Sequence, residues 1–351
     1  MTSTTHEERV EPAVIDEPQA TAPSSGTGSR SVRHFIAAYA FVGLFIAIIV
    51  VFSLHSRSGP TFFTTGNLRA ILATQSVLIM VAVGMLIPMT AGYFDLSAAA
   101  IAAVSAITVA QMFADADANL GIAIALGLVV SAVIGLITGI LVARVGASSF
   151  VTTLAMSTLL AGGLSWKTRS LPVSADFPPW FDTFGTGRII GLPWLLVVVI
   201  PVVALTIYLL GSTPFGRYLH AIGSNPRAAR LVGIPVRRTV LISFVLSGLL
   251  GGVGGVLLTA QSGGADPGAG GTFLFPAFTA LFLGMTTIKP GKPNVPGTIL
   301  AVLFLATAVS GLSMAGADAW VGPVFQGSAL VVSVCVATVF SRGSGRTEAA
   351  L

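Results

Sequence analysis

The sequence predicts an all-α, polytopic membrane protein with about ten transmembrane helices, and three observations support this fold class. Of the 351 residues, 54% are hydrophobic and only 9% are charged, whereas soluble domains carry roughly 25% charged residues. The charges leave ten uncharged intervals of 19 to 28 residues, and a helix needs about 20 apolar residues to cross a bilayer. Apolar runs such as residues 78–87 lack the alternation of barrel strands. An ordinary soluble enzyme is therefore excluded.

The ten intervals follow one another along the chain between two polar tails. Residues 1–33 are rich in Thr, Ser, Pro, Ala and acidic residues, so we expect a disordered tail. The first interval is longer than a signal-peptide core and is predicted to remain as the first helix. The membrane domain then covers residues 34–340, and residues 341–351 form a second tail. The intervals are 34–56, 70–94, 96–114, 118–143, 145–166, 189–216, 239–265, 267–288, 293–317 and 319–341.

The basic residues predict the orientation of these helices. An even number of crossings places both tails on one side, and 13 of the 18 Lys and Arg residues fall on that side. By the positive-inside rule, this side is the cytoplasm. The basic residues concerned are Arg9, Arg30, Arg33, Arg144, Arg217, Arg227, Arg230, Arg237, Arg238, Lys289, Lys292, Arg342 and Arg346.

The segment TAGYFDLSAAA, residues 90–100, places Asp95 between two apolar intervals. An ionisable group at such a position is a candidate for function. Alternatively, Asp95 caps the helix that begins near Leu96, and Gly92 supplies the preceding turn. Both interpretations hold together if this helix start lines a wet cavity, as the discontinuous helices of transporters do.

The longest predicted cytoplasmic loop, residues 212–238, carries five arginines and a short helix. Its helix is predicted to start at Ser224-Asn225-Pro226 and to end at the following Gly-Ile-Pro. The arginines could simply anchor the topology at lipid phosphates. The small pair Ala228 and Ala229 instead favours a helix that enters a groove on a partner, because a lipid-anchoring helix would carry bulky apolar residues.

Glycine-rich helices and a short internal echo are the remaining patterns. Gly251 and Gly255, like Gly135 and Gly139, have GxxxG spacing, which predicts close helix packing. TAGYFD follows the second interval and TAQSGGAD follows the seventh, five crossings later, which suggests an inverted repeat. The sequence contains neither a phosphate-binding GxxxxGK[ST] motif nor a catalytic constellation. Neither ATP binding nor catalysis by this chain is expected.

The stretch GRYLHAIGSNPRAARLVGI resembles the cytoplasmic coupling region of ribose/xylose-type ABC transporter permeases, which belong to a wider superfamily of branched-chain amino-acid, nucleoside and autoinducer permeases. GYFDLS is similar to that family's G-x-DLS signature, and the resemblance runs from about Asn67 to Phe340. It implies an ABC importer permease fold. Lys289 and Pro290 depart from the family's glycine-rich pattern at that loop.

The resemblance also implies roles for individual residues. Coupling to an ATPase would fall to Arg217, Gly223, Asn225, Ala228, Ala229, Gly233 and Ile234. Gly92, Asp95 and Ser97 would lie near the substrate pathway, and the uncharged side chains Gln75 and Gln261 are further candidates for contacts with a neutral sugar. The outer loop, residues 167–193, is a candidate docking or gating surface, although Trp180 and Phe181 equally suit the lipid interface.

The implied complex pairs two permease copies in the bacterial plasma membrane with two ATPase subunits, which bind ATP and Mg²⁺, and with an extracytoplasmic sugar-binding protein. We expect no cofactor in this chain and no contact with nucleic acid. Two alternatives remain open at this stage. The first is an ion-coupled secondary transporter that uses Asp95, and the second is an ABC permease for nucleosides, autoinducers or amino acids.

Overall fold

The computed structural model describes residues 27–116 and 119–342, which form fourteen α-helices and two minimal strand pairs. The helices are α1 (Thr27–Leu54), α2 (Gly59–Phe62), α3 (Thr65–Thr90), α4 (Ala98–Ala116), α5 (Leu120–Ile140), α6 (Ser149–Thr168), α7 (Pro179–Thr186), α8 (Leu196–Ser212), α9 (Pro214–Ser224), α10 (Pro226–Leu231), α11 (Val236–Ser262), α12 (Ala269–Gly284), α13 (Val295–Met314) and α14 (Val321–Arg342). A π-helical turn, Leu141–Val145, extends α5.

Two strand pairs lie at one end of the bundle: one closes a turn, and the other joins segments that are distant in sequence. Strand β1 (Val173–Ser174) pairs antiparallel with β4 (Gly264–Ala265), and β2 (Arg188–Ile189) pairs with β3 (Leu192–Pro193). The prediction of an all-α chain is therefore confirmed, since these strands contain only two residues each.

Every uncharged interval contains one long helix, but several boundaries differ from the predictions. Helix α1 begins at Thr27, inside the predicted tail 1–33, and α14 continues to Arg342. Residues 1–26 and 343–351, the remainder of both tails, lie outside the described residues. The predicted loop 212–238 consists mainly of α9 and α10 together with the start of α11. An amphipathic sequence at a membrane surface can form a helix. The charge count alone does not distinguish such a helix from a loop.

Fewer than ten of the described helices are long and apolar enough to count as membrane spans by these two criteria. Among the described residues, four helical segments are long and apolar enough to cross a bilayer: Thr65–Thr90, Leu120–Val145, Val236–Ser262 and Val295–Met314. A fifth is added if α8 and α9, which are bent by 65°, count as one span. Several other helices are apolar but shorter. The number of ten spans stays a prediction.

The connections between the long helices gather at two opposite ends of the bundle. One end, here called the arginine end, holds Arg144, Arg217, Arg227, Arg230, Arg237, Arg238, Lys289 and Lys292. The other, the aspartate end, holds Asp176, Asp182, Asp266 and Asp318. Contacts join segments within each end: Phe94 N donates to Ser149 Oγ at the arginine end, and Ser310 Oγ donates to Asn67 Oδ1 at the aspartate end.

The helices pack in a pattern that repeats after five long helices. Helix α4 packs on α5 and α6, and in the same way α12 packs on α13 and α14. Helix α11 packs on α4 and α5, while α3 packs on α12 and α13. Because an odd number of helices separates the equivalent elements, the two halves run in opposite directions. This packing supports the inverted repeat that the sequence echo suggested.

An aspartate accepts a backbone hydrogen bond in the turn before each of two equivalent helices. Asp95 Oδ1 accepts a hydrogen bond from Ser97 N at 2.9 Å before α4, and Asp266 Oδ1 accepts one from Gly268 N at 2.7 Å before α12. Asn119 and Asn294 similarly cap α5 and α13. The two aspartates of the sequence echo therefore occupy matching positions at opposite ends of the bundle.

Helix α11 lies at the centre of the packing, and its glycines permit close approach to its neighbours. A Cβ added at Gly255 would overlap Ala102 O of α4, and one at Gly251 would lie 2.7 Å from Ala98 O. Gly135 and Gly139 of α5 contact the backbone of α11 in the same way, at Phe244 and Leu241. The packing interpretation of both glycine pairs is confirmed.

Candidate functional site

Two consecutive short helices project from the arginine end. The Thr213 hydroxyl caps α9 by accepting a hydrogen bond from Gly216 N at 3.3 Å, and Pro214 occupies its first position. Asn225 then separates α9 from α10 and caps α10, because its Oδ1 accepts hydrogen bonds from Arg227 N and Ala228 N, both at 3.0 Å. The predicted helix start at Ser224-Asn225-Pro226 is confirmed, whereas α9 was not predicted.

Three apolar residues are exposed on α10 and at its end, beside the exposed Arg227 and Arg230. Ala228 is exposed, Leu231 is 89% exposed and Val232 is 76% exposed. Ala229, by contrast, is 3% exposed and belongs to the core. Of this small pair, Ala228 is the one left for contact with a partner, because consecutive helical residues point about 100° apart and only one of them can face outward. The role of Ala229 in coupling stays a prediction. We call Ala228, Leu231 and Val232 the α10 tip.

The other residues assigned to coupling shape the ends of these helices. Arg217 is exposed, and its Nη1 donates to Ser212 O at 3.3 Å. Gly233 has a φ of +83°, a left-handed conformation that only glycine adopts without strain, so it ends α10. Ile234 follows, donates from its N–H to Ala229 O at 3.0 Å and packs against the core. These residues fix the direction of α10.

Helix α9 is in backbone contact with the end of α3. A Cβ added at Gly223 would overlap Thr90 O and lie 3.3 Å from the backbone of Ala91. Gly92 turns the chain there with a φ of +84°, and a Cβ on Gly92 would lie 3.9 Å from Gly223 Cα. The α10 tip is therefore connected through α9 to the segment that leads to Asp95. This junction was not evident in the sequence.

Asp95 is 2% exposed and caps helix α4. Besides the bond from Ser97 N, its Oδ1 accepts one from Ser97 Oγ at 2.6 Å. Its other oxygen, Oδ2, and Ser247 Oγ on α11 are buried and have no hydrogen bond within the described residues. Ser247 nevertheless lies close enough to interact with the carboxyl group. Of the two interpretations offered for Asp95, the helix cap is the one that the contacts support.

The cap predicts how Asp95 variants behave. We expect Asp95→Asn to keep at least about half of wild-type transport, since an amide oxygen still accepts the bond from Ser97 N. We expect Asp95→Ala to lower the stability of the protein by about 1 kcal/mol or more through loss of the cap. Thermal unfolding in detergent and transport assays measure both effects. Asp266→Ala removes the equivalent hydrogen bond before α12, at the aspartate end, and is the matched control.

If Asp95→Asn abolishes transport while the protein remains folded, the cap does not account for the role of Asp95. That result, together with loss of proton- or sodium-dependent flux, would support the ion-coupled alternative.

Aromatic rings surround Phe94, the residue before Asp95. The Phe94 ring centroid lies 6.4 Å from that of Phe150, 6.3 Å from that of Phe278 and 6.3 Å from that of Phe282. The cluster joins the α3–α4 connection to α6 and α12. Sequence reasoning did not find it, although α12 is rich in Phe.

The remaining pathway candidates lie elsewhere in the fold. Gln75 is half-buried on α3, where its Nε2 donates to Thr74 Oγ1 at 3.3 Å. Gln261 is in the last turn of α11, at the aspartate end. Asp95 and Ser97 lie at the arginine end. The structure therefore does not gather the predicted pathway residues into one site, because Gln75 and Gln261 lie in the half of the bundle towards the aspartate end, whereas Asp95 and Ser97 follow α3 at the arginine end.

A cavity of about 510 Å³ lies between α4, α5 and α6. Its lining is mostly apolar, with Thr108, Gln111 and Lys167 as the polar exceptions. Gln111 Oε1 is buried and has no hydrogen-bond partner within the described residues. This oxygen is enclosed by protein atoms, so a hydroxylated ligand reaches it only after the side chain turns towards the cavity. Sequence reasoning missed Gln111 because it stands alone in an apolar interval.

The outer loop 167–193 is anchored to the bundle by the pairing of β1 with β4. Phe181 is 1% exposed and packs in a core cluster, so it is available neither to a partner nor to lipid, contrary to both interpretations. Trp180 is 60% exposed and remains free for either role. The two adjacent aromatic side chains differ because α7 turns one of them towards α4 and α11.

Comparisons with known proteins agree on one family. Residues 67–334 match the family described as branched-chain amino acid transport system, permease component. The chain is 33% identical over 297 residues to the ribose import permease RbsC of Escherichia coli K12, covering 83% of this chain and 91% of that protein. It is 32% identical to RbsC of Bacillus subtilis 168, covering 84% and 90% respectively.

A third relative has a different sugar in its name. The chain is 27% identical over 321 residues to the L-arabinose ABC transporter permease AraH of Azospirillum brasilense, covering 91% of this chain and 94% of that protein. Among solved structures, none is significantly similar to the chain.

Proposed function

Because this chain belongs to the permease-component family of the branched-chain amino acid transport systems, we propose that it is the membrane subunit of an ABC importer for a monosaccharide. In this proposal the sugar resembles ribose, xylose or arabinose, and ATP hydrolysis on a partner subunit drives its entry. The chain itself is a multi-pass membrane protein of the transport class. It supplies the path, and the partner supplies the energy.

The observation that carries this proposal is the α10 tip. Ala228, Leu231 and Val232 form an exposed, uncharged protrusion within a strongly basic surface. An exposed apolar helix face of this kind fits a groove on another protein, where its burial provides binding energy. The Asn225 cap and the turn at Gly233 hold the tip rigidly. A rigid tip can transmit the movement of a partner into the bundle.

The mechanism follows from the contact between α9 and α3. When ATP closes the partner dimer, the α10 tip is displaced, and Gly223 of α9 presses on Thr90 at the end of α3. The movement reaches the connection that carries Phe94 and Asp95, and then α4, α11 and α12. Small shifts of this kind switch the packing of the bundle between outward-open and inward-open forms.

The substrate class rests on the relatives and on the scarcity of charge. Relatives named for ribose and L-arabinose cover most of this chain. Within the described helices, Gln111 lines a sizeable cavity and carries a neutral amide oxygen that is buried and unpartnered. A neutral polyhydroxylated ligand needs hydrogen-bond acceptors and no counter-ion. Such a ligand would arrive on an extracytoplasmic binding protein, and two copies of this chain would enclose its path.

The direct test is reconstitution in liposomes with the partner ATPase and the binding protein. We expect uptake of a labelled pentose that requires ATP and Mg²⁺, and that unlabelled ribose, xylose or arabinose reduces by competition. Both termini should be accessible to protease only from the ATPase side. Uptake driven by an ion gradient without any ATPase would contradict the proposal. Competition by amino acids or nucleosides instead of sugars would retain the ABC mechanism and replace the substrate.

A further inference from the structure

A second cavity lies at the arginine end, and its lining includes Ser224, the residue before the Asn225 cap of α10. It has a volume of about 410 Å³ and is enclosed by α8, α9 and the connection between α12 and α13. Lys289 and Lys292 line it from that connection, and His220 lines it from α9. Neither the coupling site nor the cavity beside Gln111 includes these residues.

The charge of this cavity is positive and unbalanced. Lys289 and Lys292 are both exposed, and none of the carboxylates in the described residues lines the cavity. Within residues 27–116 and 119–342, the one carboxylate at the arginine end is Asp95, which is buried and bonded to Ser97. Two cationic side chains beside a cavity without acidic residues attract an anion.

The connection that carries the lysines is held firmly in place. Asn294 is 7% exposed, and its Nδ2 donates to Gly284 O at 3.1 Å and to Lys292 O at 3.0 Å, while its Oδ1 caps α13. Gly291 N donates to Met285 O at 2.8 Å. The backbone of the connection is therefore tied at several points, so the two lysines are presented to the cavity in a defined arrangement.

The opposite wall of the cavity is apolar and continues onto the outside of the bundle. Ile207 and Leu210 of α8 line the cavity, and Ile207 is 42% exposed. Ile200, two helical turns before Ile207 and on the same face of α8, is 59% exposed. A cationic pocket adjoining an exposed apolar helix face suits a ligand with an anionic head and a hydrocarbon tail.

We propose that this cavity binds the phosphate headgroup of an anionic phospholipid, with Lys289 and Lys292 on the phosphate and the acyl chains along α8. A free phosphate would use the lysines but would gain nothing from Ile207 and the exposed apolar face. The apolar wall therefore favours the lipid. Lys289 and Lys292 are not part of the α10 tip.

Retention of lipid by the full-length permease tests the proposal. The protein is reconstituted in nanodiscs of phosphatidylglycerol and phosphatidylcholine, extracted with mild detergent and analysed by native mass spectrometry. We expect wild type to retain phosphatidylglycerol selectively. Lys289→Gln combined with Lys292→Gln should weaken retention about 30-fold, a factor of about five for each lysine near a membrane surface. Lys289→Arg combined with Lys292→Arg should retain the lipid.

Two further variants separate the cavity from general surface charge. A Cβ at Gly211 meets no atom within 4 Å, and Gly211 lines the cavity, so the ring of Gly211→Phe is expected to enter the cavity mouth and release the lipid. Gly162→Phe, equally unobstructed but on α6, controls for the added ring. Arg144→Gln combined with Arg237→Gln removes the same charge outside the cavity and should leave retention unchanged.

Several outcomes would overturn the proposal. Equal retention in wild type and in the lysine variant is the simplest of them. Loss in the lysine variant without loss in Gly211→Phe would assign the effect to the surface and not to the cavity. Two results together would assign the site to free anions. Wild type in pure phosphatidylcholine would bind inorganic phosphate, and excess inorganic phosphate would release phosphatidylglycerol from wild type.

Dependence of ATPase retention on the lysines, with no effect on lipid, would make this surface part of the partner contact. Sugar uptake is not measured in any of these experiments, so their failure leaves the proposed function untouched.

Discussion

Replacing Ala228 by Glu is expected to abolish ATP-driven uptake, with a loss of at least about 100-fold. Ala228 is exposed at the α10 tip next to Leu231 and Val232. In the proposed complex the tip is buried in a groove of the ATPase, where an unpaired charge costs about 3 kcal/mol or more, equivalent to about 100-fold in binding. Co-purification of the ATPase with tagged permease, and uptake by proteoliposomes, measure the effect.

The controls for Ala228→Glu separate the tip from the fold and from charge at this end. Ala147→Glu makes the same change at another exposed alanine of the arginine end and should leave ATPase binding intact. Ala228→Ser keeps the side chain small and should also bind. A folded, monodisperse Ala228→Glu protein that still recovers the ATPase and transports would refute the assignment of the tip. Loss in the Ala147→Glu control as well would point to electrostatic repulsion in general.

Replacing Gly223 by Ala is expected to uncouple transport from ATP hydrolysis while the ATPase remains bound. The added Cβ would overlap Thr90 O, so α9 must move away from the end of α3. The α10 tip itself is unchanged, which preserves binding. We expect the sugar transported per ATP hydrolysed to fall about tenfold, corresponding to about 1.4 kcal/mol of lost coupling, within the usual range for energetic coupling between sites.

Gly211→Ala, on the neighbouring helix α8, is the matched control. Its added Cβ meets no atom within 4 Å. Transport and hydrolysis should keep their wild-type ratio in this variant. If Gly223→Ala behaves like Gly211→Ala, the contact between α9 and α3 does not carry the coupling. If Gly223→Ala loses the ATPase entirely, the junction supports the position of the tip and not the transmission of its movement.

The two variants are expected to affect different steps, and a single assay cannot distinguish these steps. Ala228→Glu acts on the association between subunits, whereas Gly223→Ala acts after association. Measuring ATPase recovery and the transport ratio on both variants therefore tests separate steps of the same mechanism. Asp95→Asn belongs to neither step, since its cap stabilises the start of α4.

Composition, charge spacing and short motifs determined the fold class, the positions of the long helices and the start of α10. These properties are local, since uncharged length decides whether a helix can cross a bilayer, and an Asn-Pro pair starts a helix wherever it stands. The family resemblance likewise depended on contiguous residues. For the same reason, the glycine pairs were correctly assigned to packing, although the sequence did not show which helices they join.

Only the tertiary structure decided which residues face one another and which are exposed. It turned Ala229 and Phe181 into the core, placed Gly223 against Thr90, and separated Gln75 and Gln261 from Asp95. It also assembled the cavity of Lys289 and Lys292 from α8, α9 and a distant connection. In a chain made almost entirely of apolar helices, most faces look alike in sequence, because lipid and protein interior are equally apolar. Which face meets a neighbour is settled by packing between helices that lie far apart in the chain.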